Sequence, residues 1–110
     1  MTLEKLLPAT LRKALPPLGA TTAERDPQVQ AKFFYPDCAW TWYAIEFDGQ
    51  DTFFGLVDGF EKELGTFSLA ELRENRGQMG LEIERDFYFT PCPLSTLLPW
   101  WRERLEQDAA

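Results

Sequence analysis

The sequence predicts one α+β domain, in which a four- to five-stranded, mostly antiparallel sheet has two to three short helices packed on it. Three observations support this fold class. Apolar and polar residues alternate through the middle of the chain, turn motifs separate the alternating stretches, and leucines recur at helical spacing near both ends. Because period two is typical of strands and a spacing of three to four residues is typical of helices, a layered α+β arrangement follows.

Length and composition favour a single domain over residues 1–110, with a frayed tail from about residue 107. The chain has 110 residues, of which 45% are hydrophobic and 15% aromatic, which is enough apolar surface to form a core. The apolar runs are too short to cross a bilayer, and the first residues lack the apolar stretch of a signal peptide. We therefore expect a cytoplasmic protein without membrane contact.

The N-terminal segment predicts two short helices followed by a loop. Leucines recur at helical spacing from residue 2 to residue 15, with Thr2 as a cap and Pro8 at the start of the second helix. Two prolines at 16–17 end this helix, because proline cannot continue it. Residues 18–27 carry glycine, proline and charges, so we expect a connecting loop without regular structure.

The middle of the chain predicts a meander of four strands. Residues 28–35 alternate with period two, and residues 40–47 are apolar on both faces, as expected of a central strand. Residues 52–57 and 60–67 form the third and fourth strands, the last interrupted at Gly65. Aspartate-glycine turn motifs precede the third and the fourth strand, which favours hairpin connections.

The second of these strands is predicted to alternate without a break. Side chains then point to opposite faces in turn along the whole strand. One face would carry Thr41, Tyr43, Ile45 and Phe47, and the other Trp40, Trp42 and Ala44. Both faces of this strand would therefore need a covering layer.

The sequence after the meander predicts one helix and one strand. Ser68 and Glu71 match a capping box, in which the serine hydroxyl and the glutamate satisfy backbone groups at a helix start. Gly77 lies where a helix would end. Residues 81–89 alternate only approximately, so we place a final strand in their second half.

The C-terminal segment predicts a last helix. Ser95 is expected to cap it, the helix is expected to run to about Glu106, and residues beyond Gln107 are expected to fray. Its apolar stripe consists of Leu94, Leu97, Leu98, Trp101 and Leu105. Both serines at helix starts are better explained as caps than as nucleophiles, because the chain has no histidine to act as a base.

Charge and cysteine content exclude several function classes. Eighteen acidic residues against eleven basic ones leave a formal charge of −7, which repels nucleic acid and favours a basic protein partner. Without histidine, and with Cys38 and Cys92 in no metal-binding motif, we expect neither a zinc site nor another cofactor. Two free, partly buried thiols are the expected state of these cysteines.

Aromatic residues are concentrated in the predicted hairpins, since ten of the sixteen lie between Phe33 and Phe60. Two interpretations are open. Either helices cover both faces of the sheet, the N-terminal ones on one side and the C-terminal one on the other, or some aromatic rings remain exposed and bind a partner. Phe34 belongs to the rings that could be exposed in the second case. The candidate partner-binding residues are Trp40, Trp42, Asp48, Asp51 and Phe53.

Two groups of polar residues offer an alternative to the aromatic partner-binding surface. A positive charge between two acids in Glu84-Arg85-Asp86, close to Tyr88, could bind a polar ligand or form a structural ion pair. The hairpin acids could bind a divalent cation or act as an acid–base pair, although most of them lie where turns favour aspartate. These hairpin acids are Glu46, Asp48, Asp51, Asp58, Glu61 and Glu63. We assign no catalytic residue and no metal ligand.

Several motifs over nearly the whole chain are similar to those of a known family. They are Leu11-Arg12-Lys13-x-Leu15-Pro16-Pro17-Leu18, Lys32-Phe33-Phe34-x-Pro36, Trp40-Thr41-Trp42-Tyr43, Glu46-Phe47-Asp48-Gly49-x-Asp51-Thr52-Phe53-Phe54-Gly55, Glu63-Leu64-Gly65-x-Phe67-Ser68-Leu69-x-Glu71-Leu72 and Glu84-Arg85-Asp86-x-Tyr88-Phe89. Together they resemble the bacterial domain-of-unknown-function family DUF2958, a family of small acidic proteins often encoded on plasmids and integrative elements.

The resemblance implies a genomic setting and no particular activity. Together with the acidic charge and the missing catalytic motifs, it favours a non-enzymatic, protein-binding accessory factor of mobile genetic elements. A phosphate mimic that occupies the DNA-binding groove of a protein is one version of this hypothesis. A small ligand- or metal-binding enzyme is the alternative, using either the hairpin carboxylates or the strand with Arg85, Asp86 and Tyr88.

Overall fold

The computed structural model describes residues 3–109, and the predicted cap Thr2 lies outside them. The elements are α1 Leu3–Leu6, α2 Ala9–Ala14, β1 Gln28–Val29, β2 Ala31–Phe34, β3 Thr41–Phe47, β4 Thr52–Asp58, β5 Lys62–Ser68, α3 Leu69–Glu74, β6 Glu84–Arg85, β7 Cys92–Pro93, α4 Leu94–Leu97 and α5 Pro99–Ala109. Five strands form one antiparallel sheet in the order β5-β4-β3-β2-β6, and β1 pairs with β7 separately. The α+β fold and the five-stranded antiparallel sheet are therefore as predicted.

Helical segments pack on both faces of the sheet, as the first of the two interpretations expected, but Phe60 at the turn between β4 and β5 remains exposed. The first core lies between one face and the segments of α1, α2 and α3. It contains Leu6, Leu7, Leu15, Ala31, Phe33, Tyr35, Ala44, Phe47, Phe53, Phe67, Leu69, Leu72 and Ile83. The second core lies between the other face and the C-terminal segment. It contains Val29, Ile45, Leu56, Leu94 and Leu98, with half-buried apolar residues around them.

A β-bulge in β3 breaks the alternation that the sequence predicted. Ala44 pairs with Gly55, but the next paired residue is Glu46, opposite Phe54, so Ile45 is the extra residue of the bulge. Beyond the bulge Phe47 returns to the first core, beside Ala44, while Ile45 belongs to the second core. The prediction that Phe47 shares a face with Ile45 is wrong, because one inserted residue reverses the facing of those after it.

The first predicted strand is split in two. At Gln30 the chain passes from β1 to β2, and the Gln30 N–H donates to the Ala44 carbonyl at 2.8 Å. The fourth strand, by contrast, is continuous, because Gly65 pairs directly with Gly55 in an unbroken register. Gly55 has no room for a side chain, since a Cβ there would lie 1.8 Å from the Tyr43 carbonyl oxygen.

The last predicted helix is two helices. Leu98, the residue before Pro99, has extended backbone angles (φ −131°, ψ 90°) that end α4, and Pro99 then opens α5. Ser95 is not a cap; its amide and hydroxyl donate to the Asp26 carboxylate at 2.9 and 2.6 Å. Helix α5 continues to Ala109, past the residue where fraying was expected.

Three further predictions can be compared with the structure. The Ser68 hydroxyl accepts the Glu71 N–H at 3.2 Å, which confirms the predicted helix cap. The strand predicted in the second half of residues 81–89 is wrong in position: the strand in this range is the two-residue β6 at Glu84–Arg85, and residues 86–89 form none. Residues 18–27 contain turns without helix or strand, as expected. Within residues 3–109, no helix combines the length and the apolar character needed to cross a membrane.

Candidate functional site

Two aromatic rings, one exposed at the turn between β4 and β5 and one half-buried just before β3, are in contact, and we call this site the aromatic corner. It consists of Trp40, Gly59 and Phe60. The Phe60 side chain is 95% exposed, and its ring contacts that of half-buried Trp40 edge to face, with 5.3 Å between centroids. The Trp40 ring lies directly over Gly59, where an added Cβ would be 2.4 Å from it. A glycine at the turn therefore allows the indole to lie flat under the exposed phenyl ring.

Acidic side chains surround this corner. Glu61 and Glu63 line the same shallow depression as Trp40 and Phe60, and Asp58 ends β4 beside them. The lysine of this turn, Lys62, points elsewhere, because its ammonium group donates to the Leu97 carbonyl at 3.3 Å. The corner thus combines two aromatic rings with a local excess of negative charge.

The structure separates the five predicted partner-binding residues. Trp40 and Trp42 lie near the end of β3 at which Thr41 pairs with Asp58, whereas Asp48 and Asp51 lie in the turn beyond Phe47. The seven residues from Thr41 to Phe47 extend about 20 Å along a strand. The two aromatic residues and the two acids therefore cannot form one small contact surface.

One of the predicted aromatic contacts, Phe53, is buried in the first core, and another, Trp42, packs against it. Phe53 is 0% exposed and stacks on Phe47 and Phe67, so its assignment to a partner-binding surface is wrong. Its strand position faces the first core, which the helices cover. Trp42 is half-buried and packs edge to face on Tyr35 at 5.5 Å.

Asp48 and Asp51 stabilise the backbone around the β3–β4 turn. One Asp48 oxygen accepts the N–H groups of Gln50 and Asp51 at 2.8 Å and of Thr52 at 3.1 Å. These hydrogen bonds hold the pKa of the Asp48 carboxyl below its ordinary value. Asp51 accepts the Ser68 hydroxyl at 2.5 Å and the Ala70 N–H at 2.7 Å, at the start of α3.

The predicted polar site on β6 is divided among separate contacts. Arg85 donates to the Lys5 carbonyl at 3.0 Å, and its guanidinium carbon lies 4.6 Å from the Phe87 ring centroid. Asp86 pairs with Lys32 at 3.5 Å and accepts the Tyr88 N–H at 2.9 Å. The Tyr88 side chain is 95% exposed. Arg85 and Asp86 thus join β6 to neighbouring segments.

The part of the chain that the structure describes contains no cluster of side chains that could bind a metal ion. Among residues 3–109, no three histidine, cysteine, aspartate or glutamate side chains lie close enough together to hold an ion. Cys38 and Cys92 are free and half-buried, as the sequence predicted.

Asp37 accepts the Met79 N–H at 2.5 Å, which ties the loop after α3 to the turn after β2.

A cavity of about 430 Å³, which we call the Glu46 cavity, lies on the second-core face of the sheet. Its walls come from three parts of the chain: the loop of residues 18–27, the sheet, and the C-terminal helices. The sheet contributes Phe54 and Leu64, and the helices contribute Leu94 and Trp101. The bulge in β3 places Glu46 on this same face, where it lines the cavity.

Glu46 is a buried acid, with only 4% of its surface exposed. One carboxylate oxygen accepts the Gly19 N–H at 2.8 Å; the other accepts the Thr21 N–H at 2.8 Å and the Thr21 hydroxyl. Burial acts to raise the pKa of Glu46, but these hydrogen bonds outweigh it and bring the pKa below the ordinary value. None of the ion pairs among the described residues involves Glu46.

Comparison with known proteins gives one result. The model of DUF2958, a family of proteins of unknown function, matches residues 6–104 of the 110. The chain belongs to this family. Neither a search of curated proteins nor a search of solved structures finds a match. The DUF2958 region includes every residue of the aromatic corner and every cavity residue named above.

The sequence analysis did not predict the positions of two residues, Phe60 in the aromatic corner and Glu46 in the cavity. Phe60 was placed in the fourth strand, although its position between Gly59 and three charged residues indicates the turn instead. Glu46 was grouped with the hairpin acids. Its position between Ile45 and Phe47, inside an apolar strand, is the signal for a buried carboxylate.

Proposed function

We propose that this protein is a non-enzymatic, protein-binding accessory domain that contacts a basic partner through the aromatic corner. The observation that carries the proposal is the Phe60 ring, which is 95% exposed yet rests edge to face on the Trp40 indole. Large aromatic side chains dominate the energetics of protein interfaces, and an exposed phenyl ring in contact with a half-buried indole is suited to enter a partner's pocket.

The acids beside the rings specify the chemistry of the partner. Asp58, Glu61 and Glu63 give the corner a negative potential, and Lys62 is engaged with the Leu97 carbonyl. Charges at the rim of an interface accelerate encounter with an oppositely charged surface and reject like-charged ones. The complementary partner therefore presents an apolar pocket with arginine or lysine around it.

The setting on mobile genetic elements that the family resemblance implied narrows the partner class further. Basic proteins that handle nucleic acid during the transfer of such elements fit the charge of the corner. Direct binding of nucleic acid by this chain is disfavoured by its net charge of −7. The accessory role is thus one of contact with a protein, in the cytoplasm of the host.

Photo-crosslinking in the host tests the proposal. The full-length protein carries a photoreactive phenylalanine derivative at residue 60 in one sample and at residue 88 in the other, because Phe60 and Tyr88 are both 95% exposed. The first belongs to the β4–β5 turn and the second follows β6, at the other edge of the sheet. A basic protein captured at residue 60 and not at residue 88 is the expected result.

The purified partner then allows a quantitative comparison. Phe60→Ala should weaken binding about 30-fold, which corresponds to the loss of roughly 2 kcal/mol at an interface anchor. Tyr88→Ala, the matched control, should leave binding unchanged, and added salt should weaken the wild-type complex. Equal binding by both variants, or equal crosslinking at both positions, would refute the proposal.

A further inference from the structure

We propose that the Glu46 cavity binds a small organic cation, an ammonium or guanidinium group carried on an apolar body. This site lies apart from the aromatic corner, and its argument is independent of the proposed function. It rests on a cavity of sufficient size, a buried anion without a cationic partner, and aromatic walls.

The size and lining of the cavity are those of a ligand site. A volume of about 430 Å³ falls in the range of known small-molecule pockets, which are mostly apolar with a few placed polar groups. Phe54, Leu64, Leu94 and Trp101 form apolar walls. Glu46 is the buried polar group among these walls.

The charge of Glu46 selects a cation. All three of its hydrogen-bond donors, on Gly19 and Thr21, are neutral groups, so the carboxylate keeps a full negative charge in a mostly apolar surrounding. No lysine or arginine is among the described residues that line the cavity, and Glu24 adds a second acid. Because a charge pair is stronger where water is excluded, a cation gains most from this position.

Glu46 also has unused capacity to accept hydrogen bonds. Each carboxylate oxygen has two lone pairs. The Oε2 atom accepts two hydrogen bonds from Thr21, whereas Oε1 accepts only the Gly19 N–H. Oε1 therefore keeps a lone pair for one further N–H donor while its bond to Gly19 stays in place.

The aromatic walls favour the same class of ligand. The faces of aromatic rings attract cations, with energies that increase when the cation is desolvated. Phe54 and Trp101 both line the cavity. The apolar body of the ligand would pack on Leu64 and Leu94, which distinguishes such a molecule from an inorganic ion.

A role of Glu46 as a loop anchor alone does not account for the space beside it. The hydrogen bonds to Gly19 and Thr21 explain why an acid is retained, but a loop anchor needs no adjoining cavity. Water is the competing occupant, because the Glu46 carboxylate offers it a polar partner among the apolar walls. The two possibilities differ in whether a cation binds better than a neutral molecule of the same shape.

Titration of the isotope-labelled, full-length protein followed by NMR distinguishes them. The probes are benzylammonium, benzyl alcohol and benzoate, which share a ring and differ in charge. Benzylammonium should shift the amide signals of Gly19 and Thr21 and the indole signal of Trp101. Benzyl alcohol should bind at least tenfold more weakly and benzoate not at all, since a buried ion pair adds about 1.4 kcal/mol or more.

Two variants link the binding to the cavity. Glu46→Gln keeps the size of the side chain, removes its charge, and should abolish the preference for the cation. Because this change also weakens the loop, Thr66→Phe is the second variant, since exposed Thr66 lines the cavity and a phenyl group there would obstruct part of it. Thr96→Phe, on the exposed part of α4, is its control and should bind as the wild type does.

The outcomes that overturn the proposal are specific. Equal affinities for benzylammonium and benzyl alcohol would show a cavity without charge preference. No shift of the three signals up to about 10 mM benzylammonium, well above the Kd of even a weak specific site, would show that water alone occupies it. Equal loss of binding in the Thr66→Phe and Thr96→Phe variants would place the ligand elsewhere.

Discussion

Replacing Glu46 by glutamine separates the charge of this residue from its size, and the structure allows the effect on stability to be worked out. The glutamine oxygen can still accept both hydrogen bonds from Thr21, but its NH₂ group then faces the Gly19 N–H, which is also a donor. A hydrogen bond to a charged acceptor contributes about 1.5–3 kcal/mol. We therefore expect Glu46→Gln to lower the free energy of unfolding by about 2 kcal/mol at neutral pH.

The pH dependence of this effect has a definite sign. The folded protein holds the pKa of Glu46 below its ordinary value of 4.5, so the unfolded chain takes up the proton first as pH falls. The stabilisation is complete above about pH 5.5 and is lost as pH falls through the folded pKa. The difference in stability between wild type and Glu46→Gln should therefore be constant from neutral pH to about 5.5 and shrink below 4.5.

Urea unfolding of both proteins between pH 3 and pH 7 measures this difference. Glu103→Gln serves as the control, because Glu103 is an exposed glutamate of α5 outside the cavity, and it should change stability by less than about 0.5 kcal/mol. A difference between wild type and Glu46→Gln that stays constant down to pH 3 would contradict the reasoning. It would mean that Glu46 is not the ionised acceptor that holds the loop.

Three further predictions concern the fold, and urea unfolding measures each. Phe53→Ala should lower the free energy of unfolding by about 3–5 kcal/mol, and Phe60→Ala by less than about 0.5, because only the first ring is buried. Similar losses would contradict the assignment of core and surface. Gly55→Ala should destabilise by more than about 4 kcal/mol, since its Cβ would meet the Tyr43 carbonyl; a milder loss would show that the strands can separate there. Ser68→Ala should cost about 1 kcal/mol, and an unchanged stability would show that the hydroxyl does not cap α3.

The meander could be predicted because its signals are local. The Asp48–Asp51 turn and the helix cap at Ser68 each depend on residues within four positions of one another; the turn forms as expected, and the Ser68 hydroxyl accepts the Glu71 N–H as the capping box predicts. The bulge at Ile45 has no such signal. Both Ile45 and Phe47 are apolar and both are buried, so binary patterning cannot show which residue faces which core.

The division of the C-terminal segment into α4 and α5 was not predicted, for a different reason. Pro99 was visible in the sequence, but the apolar stripe continues through Leu98 and Trp101 and favoured one helix. Ser95 was read as a cap because local bonding is the usual use of a serine at a helix start. Its actual partner, Asp26, lies 69 residues away, and no spacing rule connects the two.

The candidate surfaces were harder to predict than the fold, since they depend on which ends of strands meet. Trp40 and Asp48 belong to the same hairpin in sequence, yet β3 separates them. The acids that do lie beside Trp40 follow β4, where the antiparallel partner brings the chain back. The sequence therefore predicted acids beside the aromatic residues at Asp48 and Asp51, whereas those beside Trp40 are Glu61 and Glu63.

The loop that walls the Glu46 cavity is fixed from several directions, although it has no helix or strand of its own. At its start the Pro16 carbonyl accepts the Phe47 N–H at 2.9 Å; at its end the Pro27 carbonyl accepts the Leu94 N–H at 2.9 Å. Between them the Arg25 carbonyl accepts the Trp101 indole N–H at 2.9 Å. The cavity is thus formed before any ligand arrives, which reduces the ordering that binding requires.

Loop position and ligand binding then depend on the same carboxylate. A cation at Glu46 favours its ionised form, and the ionised form is the one that accepts the hydrogen bonds from Gly19 and Thr21. Binding should therefore stabilise the folded protein most where Glu46 is fully ionised, and this stabilisation should fall as the pH drops through the folded pKa of Glu46, because the proton and the cation compete for the carboxylate. A ligand held by the apolar walls alone would raise the free energy of unfolding equally at every pH. A smaller increase at acidic pH than at neutral pH would therefore show that the ligand contacts Glu46 itself.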